Sequence, residues 1–123
     1  MLFRSHGIGV INFFALASGF LSGKYRSEAD LSKSARGQGV KKYLNPRGLN
    51  VLAALDEVAQ RLNATPAQVA LAWQIARPSI TAPIASATSL AQLDGLVAAV
   101  NLKLDDAAMQ RIDVASATAS AAA

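Results

Sequence analysis

The sequence predicts an α/β fold in which short parallel strands alternate with helices. Two segments rich in β-branched, aromatic and other apolar residues, at 8–14 and 79–85, have the composition of strands. Helical patterns with clear start signals separate the two segments and follow the second one. Strands that alternate with helices in this way are typical of a parallel sheet covered by helices.

The first predicted strand, residues 8–14, lies between Gly7 and the glycine-containing turn at 18–23. Its run of mainly apolar residues predicts a strand that is buried on both faces. Residues 24–44 are polar, basic and interrupted by Gly and Ser, so we expect a long loop. Loops of this length are uncommon in compact domains and often have a function.

Two helices are predicted next. Asn45 and Pro46 supply a capping residue and a proline at the first helical position, and an apolar stripe then continues to about Asn63. Thr65, Pro66 and Gln68 form a capping-box pattern that begins a second helix, which we expect to end near residue 76. Trp73 is expected in the core.

The second predicted strand, residues 79–85, is followed by Ser89 and Gln92, a second capping-box pattern that begins a helix to about Val100. Asp105 and Asp106 begin a last helix through Ile112, and an Ala/Ser-rich frayed tail is expected at 118–123. Two strands cannot make a stable sheet alone, so we expect the chain to be part of a larger fold.

The charge is unevenly distributed. The 123 residues carry a net charge of +4, and residues 24–47 hold seven basic and two acidic side chains. This segment is either a solvated loop or a collar for an anionic ligand. Nucleic acid is disfavoured, because only Tyr25 and Tyr43 offer stacking rings there and no nucleic-acid motif is present.

The absence of cysteine excludes disulfides and thiolate metal sites, and it fits a cytoplasmic protein. Residues 1–19 resemble a short signal peptide, but Asn12 interrupts the apolar run. That run is too short to span a bilayer, which takes about 20 apolar residues. We therefore expect no membrane partner.

Residues 84–89 connect the second strand to a capped helix start, a geometry that suits a phosphate group. The alternative is an ordinary turn with a serine cap. An aromatic ring at the end of the first strand, Phe13, is suited to form a pocket wall, although Phe13 or Phe14 is also expected in the core. His6 is expected on the surface, and neither a catalytic set nor a metal site is predicted.

Three ordered motifs carry a resemblance to a known family. GIGVINFFALASGFLSGKY at 7–25, ATPAQVALAW at 64–73 and TAPIASATSLAQL at 81–93 resemble the last part of aldo-keto reductases. The resemblance implies the C-terminal part of a (β/α)₈ TIM barrel, with strands seven and eight and their helices at residues 1–117. The barrel is incomplete, because a whole one takes about 250 residues.

The resemblance also implies a cofactor, NADP(H), with NAD left open because residues 78–102 contain no Lys or Arg. It implies that Phe13 stacks on the nicotinamide, and that Leu16 and Ser18, with Lys24 nearby, contact the pyrophosphate. The segment that holds the adenosine 2′-phosphate corresponds to Ser86, Ala87, Thr88 and Gln92.

In that family the full-length protein reduces a small carbonyl substrate, using an Asp, Tyr, Lys and His tetrad for which this chain has no matching set. We therefore expect the chain to be inactive alone. The alternative is a non-catalytic nucleotide-binding or interaction module similar to potassium-channel β-subunits. Self-association through exposed strand edges is also expected.

Overall fold

A computed structural model describes residues 5–117. The helices and strands, in chain order, are β1 Ile11–Asn12, α1 Gly37–Val40, α2 Pro46–Leu62, α3 Pro66–Ile75, β2 Ala82–Pro83, α4 Leu90–Asn101 and α5 Asp106–Ser116. Three 3₁₀ segments, Ala17–Ser22, Glu28–Lys33 and Lys41–Tyr43, lie between β1 and α2. The predicted tail at 118–123 lies outside the described residues.

The two strands pair in parallel, as the alternation of strands and helices predicts. Ile11 is the register partner of Ala82, and Asn12 of Pro83. Each regular strand has two residues, whereas the composition predicts seven. Both are short because, within residues 5–117, each strand has only the other as a neighbour.

The prediction that β1 is buried on both faces is wrong for this structure. Ile8 is 55% exposed and Ile11 is 62% exposed. A strand is buried on both faces when layers cover both sides of its sheet. Here helix α3 packs against β2 and the Ala17–Ser22 segment, so one side is covered.

The predicted helix starts of α2 and α3 are confirmed. The Asn45 side chain accepts a hydrogen bond from the Gly48 N–H at 2.8 Å, and Pro46 is the first residue of α2. At α3, Thr65 Oγ1 accepts from the Gln68 N–H at 3.3 Å, and Gln68 Oε1 accepts from the Thr65 N–H at 3.0 Å. Helix α2 ends at the left-handed residue Asn63.

The start of α4 differs from a complete capping box. Ser89 Oγ accepts from the Gln92 N–H at 3.2 Å, as predicted. The Gln92 side chain instead reaches one residue further back, where it accepts from the Thr88 N–H at 2.7 Å. Helix α5 begins at the Asp105 cap, as predicted, and continues past Ile112 to Ser116.

A single large core cluster joins the basic segment to helices α2, α3 and α5. Its members include Phe20, Tyr25, Leu52, Leu55, Val69 and Ile112. Trp73 packs against this cluster, which agrees with its predicted place in the core.

Residues 24–44, which are predicted to form a long loop, contain short helices and buried side chains. Tyr25, Leu31 and Val40 are buried, and short helices connect them. Gly37 lies so close to the Leu31 carbonyl oxygen that a Cβ at position 37 would be 1.7 Å from it. The segment therefore folds back on itself and covers one side of the core.

None of the helices within residues 5–117 has the length and apolar character needed to cross a membrane. The same residues contain no group of three His, Cys, Asp or Glu side chains that would hold a metal ion. His6 is exposed, as predicted.

Candidate functional site

The two strands end at the same edge of the sheet. At that edge the Asn12 carbonyl accepts a hydrogen bond from the Ile84 N–H at 3.2 Å. Further back along the strands, the Val10 carbonyl accepts from the Thr81 N–H at 2.8 Å. The segments that follow the strands, at 13–18 and 84–89, therefore begin side by side.

The first segment presents two aromatic rings to solvent. Phe13 is 69% exposed and Phe14 is 65% exposed, so the expectation that one of them lies in the core is wrong. The rings meet edge to face, with centroids 4.6 Å apart and planes at 78°. Edge-to-face contact of two aromatic rings is favourable, so each ring stabilises the position of the other.

The backbone after Phe13 is strained. Phe14, Ala17 and Ser18 have φ values of 57°, 50° and 59°, in the left-handed region that is unfavourable for residues other than glycine. Such strain persists where the surrounding structure determines it, and it is common at ligand sites. The turn closes through the Ala17 N–H, which donates to the Phe14 carbonyl at 2.8 Å.

The predicted pyrophosphate-contacting residues lie in this turn or beside it. The Leu16 carbonyl accepts from the N–H groups of Gly19 and Leu21, and the Leu16 side chain packs against the core. Ser18 is half-buried. Lys24 Nζ lies 5.0 Å from the centroid of the Tyr25 ring and close to Gly19, so the turn has a neighbouring positive charge.

The second segment leads to the N-terminus of α4. Ser86, Thr88 and Gln92 are exposed, and Ala87 is half-buried. Gln92 Oε1 accepts from both the Thr88 N–H at 2.7 Å and the Thr88 hydroxyl at 3.0 Å. The helix N-terminus favours an anion there. An anion bound by the N–H and hydroxyl of Thr88 would have to displace the side-chain oxygen Oε1 of Gln92.

Three basic side chains of residues 24–47 form ion pairs, one of them with a residue outside this segment. Arg26 forms two hydrogen bonds with Asp56, Lys33 Nζ lies 2.7 Å from Asp30, and Lys41 Nζ lies 3.5 Å from Glu28. The hydrogen bonds to Asp30 from the Lys33 side chain and the Arg26 backbone lower its pKa to about 2. These pairs leave fewer charges for the predicted anion collar.

Tyr25 is not available to a substrate. Its ring is fully buried, and its hydroxyl shares a hydrogen bond with Ser34 Oγ. The bond to Ser34 lowers the pKa of the Tyr25 hydroxyl, against the opposing effect of burial. The Tyr25 hydroxyl is therefore not placed to act as an acid towards a bound ligand.

One residue at the site, Gln74, is not predicted from the sequence. The buried Gln74 of α3 donates from Nε2 to the Ala15 carbonyl at 2.7 Å and to the Ala70 carbonyl at 3.1 Å, and its Oε1 accepts from Asn12 Nδ2. The available signal is a polar residue within the otherwise apolar stretch 69–75 of this helix, between Trp73 and Ile75.

The aldo/keto reductase family model matches residues 1–117. The chain belongs to the aldo/keto reductase family. The family resemblance of the three motifs is therefore confirmed. The family fold is a (β/α)₈ barrel, and two parallel strands with helices between and after them are compatible with part of one.

The named relatives of this chain include a channel subunit and a reductase. A probable voltage-gated potassium channel subunit beta of Arabidopsis thaliana is 34% identical over 82% of this chain and 32% of its own length. The L-glyceraldehyde 3-phosphate reductase of Escherichia coli strain K12 is 33% identical over 80% of this chain and 30% of its own.

A third relative, an aldo-keto reductase of Schizosaccharomyces pombe whose name includes NADP(+), is 27% identical over 89% of this chain and 33% of its own length. The chain spans about a third of the length of these three relatives. Its cofactor residues stay a prediction.

Proposed function

We propose that residues 1–117 are the C-terminal, cofactor-binding part of an aldo/keto reductase barrel. In this proposal a nicotinamide dinucleotide lies across the ends of β1 and β2. The observation that carries it is the parallel register, which starts the Phe13 segment and the Ser86 segment at one edge of the sheet. Barrels of this type often bind phosphate groups with the loops that follow their last strands.

The residues at this edge fit the two halves of a dinucleotide. The exposed Phe13 ring is suited to stack on the nicotinamide, which supplies or accepts a hydride when the cofactor is bound. Leu16 and Ser18, with Lys24 nearby, are suited to the pyrophosphate. Ser86, Ala87, Thr88 and Gln92 are suited to the phosphate on the adenosine ribose, because this segment ends at a helix N-terminus.

We propose NADP(H) as the cofactor, with NAD as the competing outcome. The Schizosaccharomyces pombe relative named for NADP(+) supports this choice. The lack of Lys and Arg at 78–102 argues for NAD, because a 2′-phosphate is usually recognised by a cation. A direct comparison of NADPH with NADH decides between them.

The reaction we propose for the full-length protein is reduction of an aldehyde or ketone to an alcohol, in the cytoplasm. The relatives named as reductases support it. Carbonyl reduction requires a positioned acid to protonate the oxygen. Residues 5–117 contain no exposed tyrosine at the proposed site, since Tyr25 is buried, so we expect no reductase activity from this chain alone.

A second candidate is a non-catalytic module that binds a nucleotide or another protein. The observation that favours it is the relative named as a probable potassium channel β-subunit. A nucleotide-binding module would use the same dinucleotide site as a reductase, so cofactor binding does not separate these two. Turnover of a carbonyl substrate by the longest encoded form of the protein does.

The experiment is a fluorescence titration of the 123-residue chain with NADPH and, separately, with NADH. The proposal predicts saturable binding of at least one of them, together with no oxidation of NADPH when an aromatic aldehyde is added. Absence of binding by either cofactor contradicts the proposed site. Oxidation above a blank contradicts the proposed inactivity.

A further inference from the structure

The buried side chain of Gln74 connects helix α3 to both ends of the turn that carries Phe13. Its Nε2 donates to the Ala15 carbonyl at 2.7 Å, and its Oε1 accepts from Asn12 Nδ2. Asn12 and Ala15 are the residues that precede and follow Phe13 and Phe14. Gln74 is 6% exposed, so water does not readily replace these bonds.

Asn12 depends on this contact. Within the described residues its Oδ1 is buried without a hydrogen-bond partner, which leaves the bond from Nδ2 to Gln74 to stabilise the side-chain amide. Without Gln74, both polar ends of the Asn12 side chain would be unsatisfied. A buried amide in that state is expected to rotate towards water and to carry the adjoining backbone with it.

We propose that Gln74 is a positioning residue that sets the direction of the exposed Phe13 ring. It does so by holding the backbone on either side of two residues, the second of which, Phe14, is in the left-handed region. Its relevance to a cofactor rests on the proposed function, because a nicotinamide stacks only on a ring that faces it. The effect on the ring itself is independent of any ligand.

A purely structural role is the competing explanation. Gln74 also donates to the Ala70 carbonyl one turn earlier in α3, and its substitution is expected to lower the stability of this helix. The matched control is Thr65→Ala, which removes the cap at the far end of the same helix and does not touch the Phe13 turn.

The first measurement is ¹⁹F NMR of the full chain labelled with 4-fluorophenylalanine. The chain has four phenylalanines, and the signals of Phe3, Phe13 and Phe14 are assigned by replacing each in turn with Leu. The remaining signal, from the buried Phe20, serves as an internal reference. We expect Gln74→Met to shift or broaden the Phe13 and Phe14 signals and to leave Phe20 unchanged, whereas Thr65→Ala leaves all three unchanged. Unchanged Phe13 and Phe14 signals in a folded Gln74→Met variant overturn the proposal.

The second measurement is the dissociation constant for NADPH, by fluorescence. Loss of the ring direction is expected to weaken binding by about threefold to tenfold, the equivalent of one aromatic stacking contact. If the unsubstituted chain binds no cofactor while Gln74→Met still alters the Phe13 signal, the proposed function fails and the positioning role stands. An unchanged dissociation constant with an altered signal overturns the link to the cofactor.

Two further variants keep the test decisive if Gln74→Met does not fold. Gln74→Glu retains an oxygen that accepts from Asn12 but loses the donor to Ala15, so we expect an intermediate change in the Phe13 signal. Asn12→Ala removes the other partner at the edge of the sheet and is expected to alter the Phe13 signal as well. Variants that fold and leave this signal unchanged contradict the proposal.

Discussion

The backbone carbonyl of Asn12 accepts a hydrogen bond at 3.2 Å from the N–H of Ile84, at the point where both parallel strands end. This bond fixes the relative position of two segments that are some 70 residues apart in the sequence. One of them carries an exposed aromatic ring, and the other leads to a capped helix N-terminus. These are the two kinds of contact that the proposed dinucleotide site requires.

The Phe13 ring is expected to contribute to cofactor binding but little to folding. Phe13→Ala should weaken NADPH binding by about threefold to tenfold, because one stacking contact is lost. Its effect on stability should be small, since the ring is 69% exposed. Fluorescence titration and urea unfolding measure the two effects. A matched Ile11→Ala variant, at another exposed apolar position, should leave the affinity unchanged; equal losses in both variants would rule out stacking on Phe13.

Asp113 is expected to hold helix α5 against α3. Its Oδ1 accepts from Trp73 Nε1 at 2.7 Å and also pairs with Arg77, whose guanidinium lies 4.2 Å from the centroid of the Trp73 ring. Asp113→Ala leaves these groups without their acceptor, and we expect a loss of about 1–2 kcal/mol after allowing for partial exposure. Urea unfolding measures it.

The control for Asp113 is Glu57→Ala, which removes an exposed ion pair with Arg111. A loss below about 0.5 kcal/mol is expected there, because exposed pairs contribute little. Equal stability changes in the two variants would contradict a special role for the Trp73, Arg77 and Asp113 contacts.

Stability is expected to fall between about pH 4 and pH 2, partly through Asp30. The Lys33 side chain and the Arg26 N–H lower the pKa of this carboxyl from 3.8 to about 2 in the folded chain. A lowered folded pKa stabilises the folded state above the unfolded value, and this contribution is lost as the pH decreases towards the folded value. Asp30→Asn should therefore make the decline shallower in urea unfolding at pH 2 to 6.

The comparison variant for Asp30 is Glu28→Gln. In the unsubstituted chain the Glu28 carboxylate lies 3.5 Å from Lys41 Nζ on the exposed surface. The decline in Asp30→Asn should be shallower than the decline in Glu28→Gln. An unaltered decline in Asp30→Asn would show that Asp30 is not one of the groups responsible.

Self-association of the isolated chain is expected. An apolar groove of about 370 Å³ includes Ile75, Leu96 and Val100, and the exposed face of α4 adds Leu93 and Val97. Contiguous apolar surface of this kind favours association. Sedimentation velocity should show oligomers, and Leu93→Lys with Val97→Lys should reduce them. A monomer that unfolds in a sharp thermal transition would contradict the predicted self-association.

The helix starts were predictable because their chemistry is local. Asn45, Thr65 and Ser89 each bond to a backbone N–H three residues away, so the pattern is visible in the sequence. The parallel pairing was predictable from the order of strands and helices. The family could be read from three motifs in order.

Tertiary contacts were less predictable. Nothing in a polar segment marks Tyr25 as fully buried, because its burial depends on α1 and α2 folding over it. Gln74 is equally ambiguous, since its partners are 59 and 62 residues away in the sequence. The exposure of Ile8 and Phe14 was missed because an apolar run indicates a strand without showing which layers cover it.

Amide NMR of the ¹⁵N-labelled chain during titration with NADP⁺ tests whether the two strand ends bind one dinucleotide. We predict chemical shift changes in both segments, at Phe13 to Ser18 and at Ser86 to Gln92, that follow one binding curve. The cap of α5 at Asp105 lies outside both segments and should remain unchanged. Changes confined to one segment, or changes in the two segments with different midpoints, would contradict a shared site.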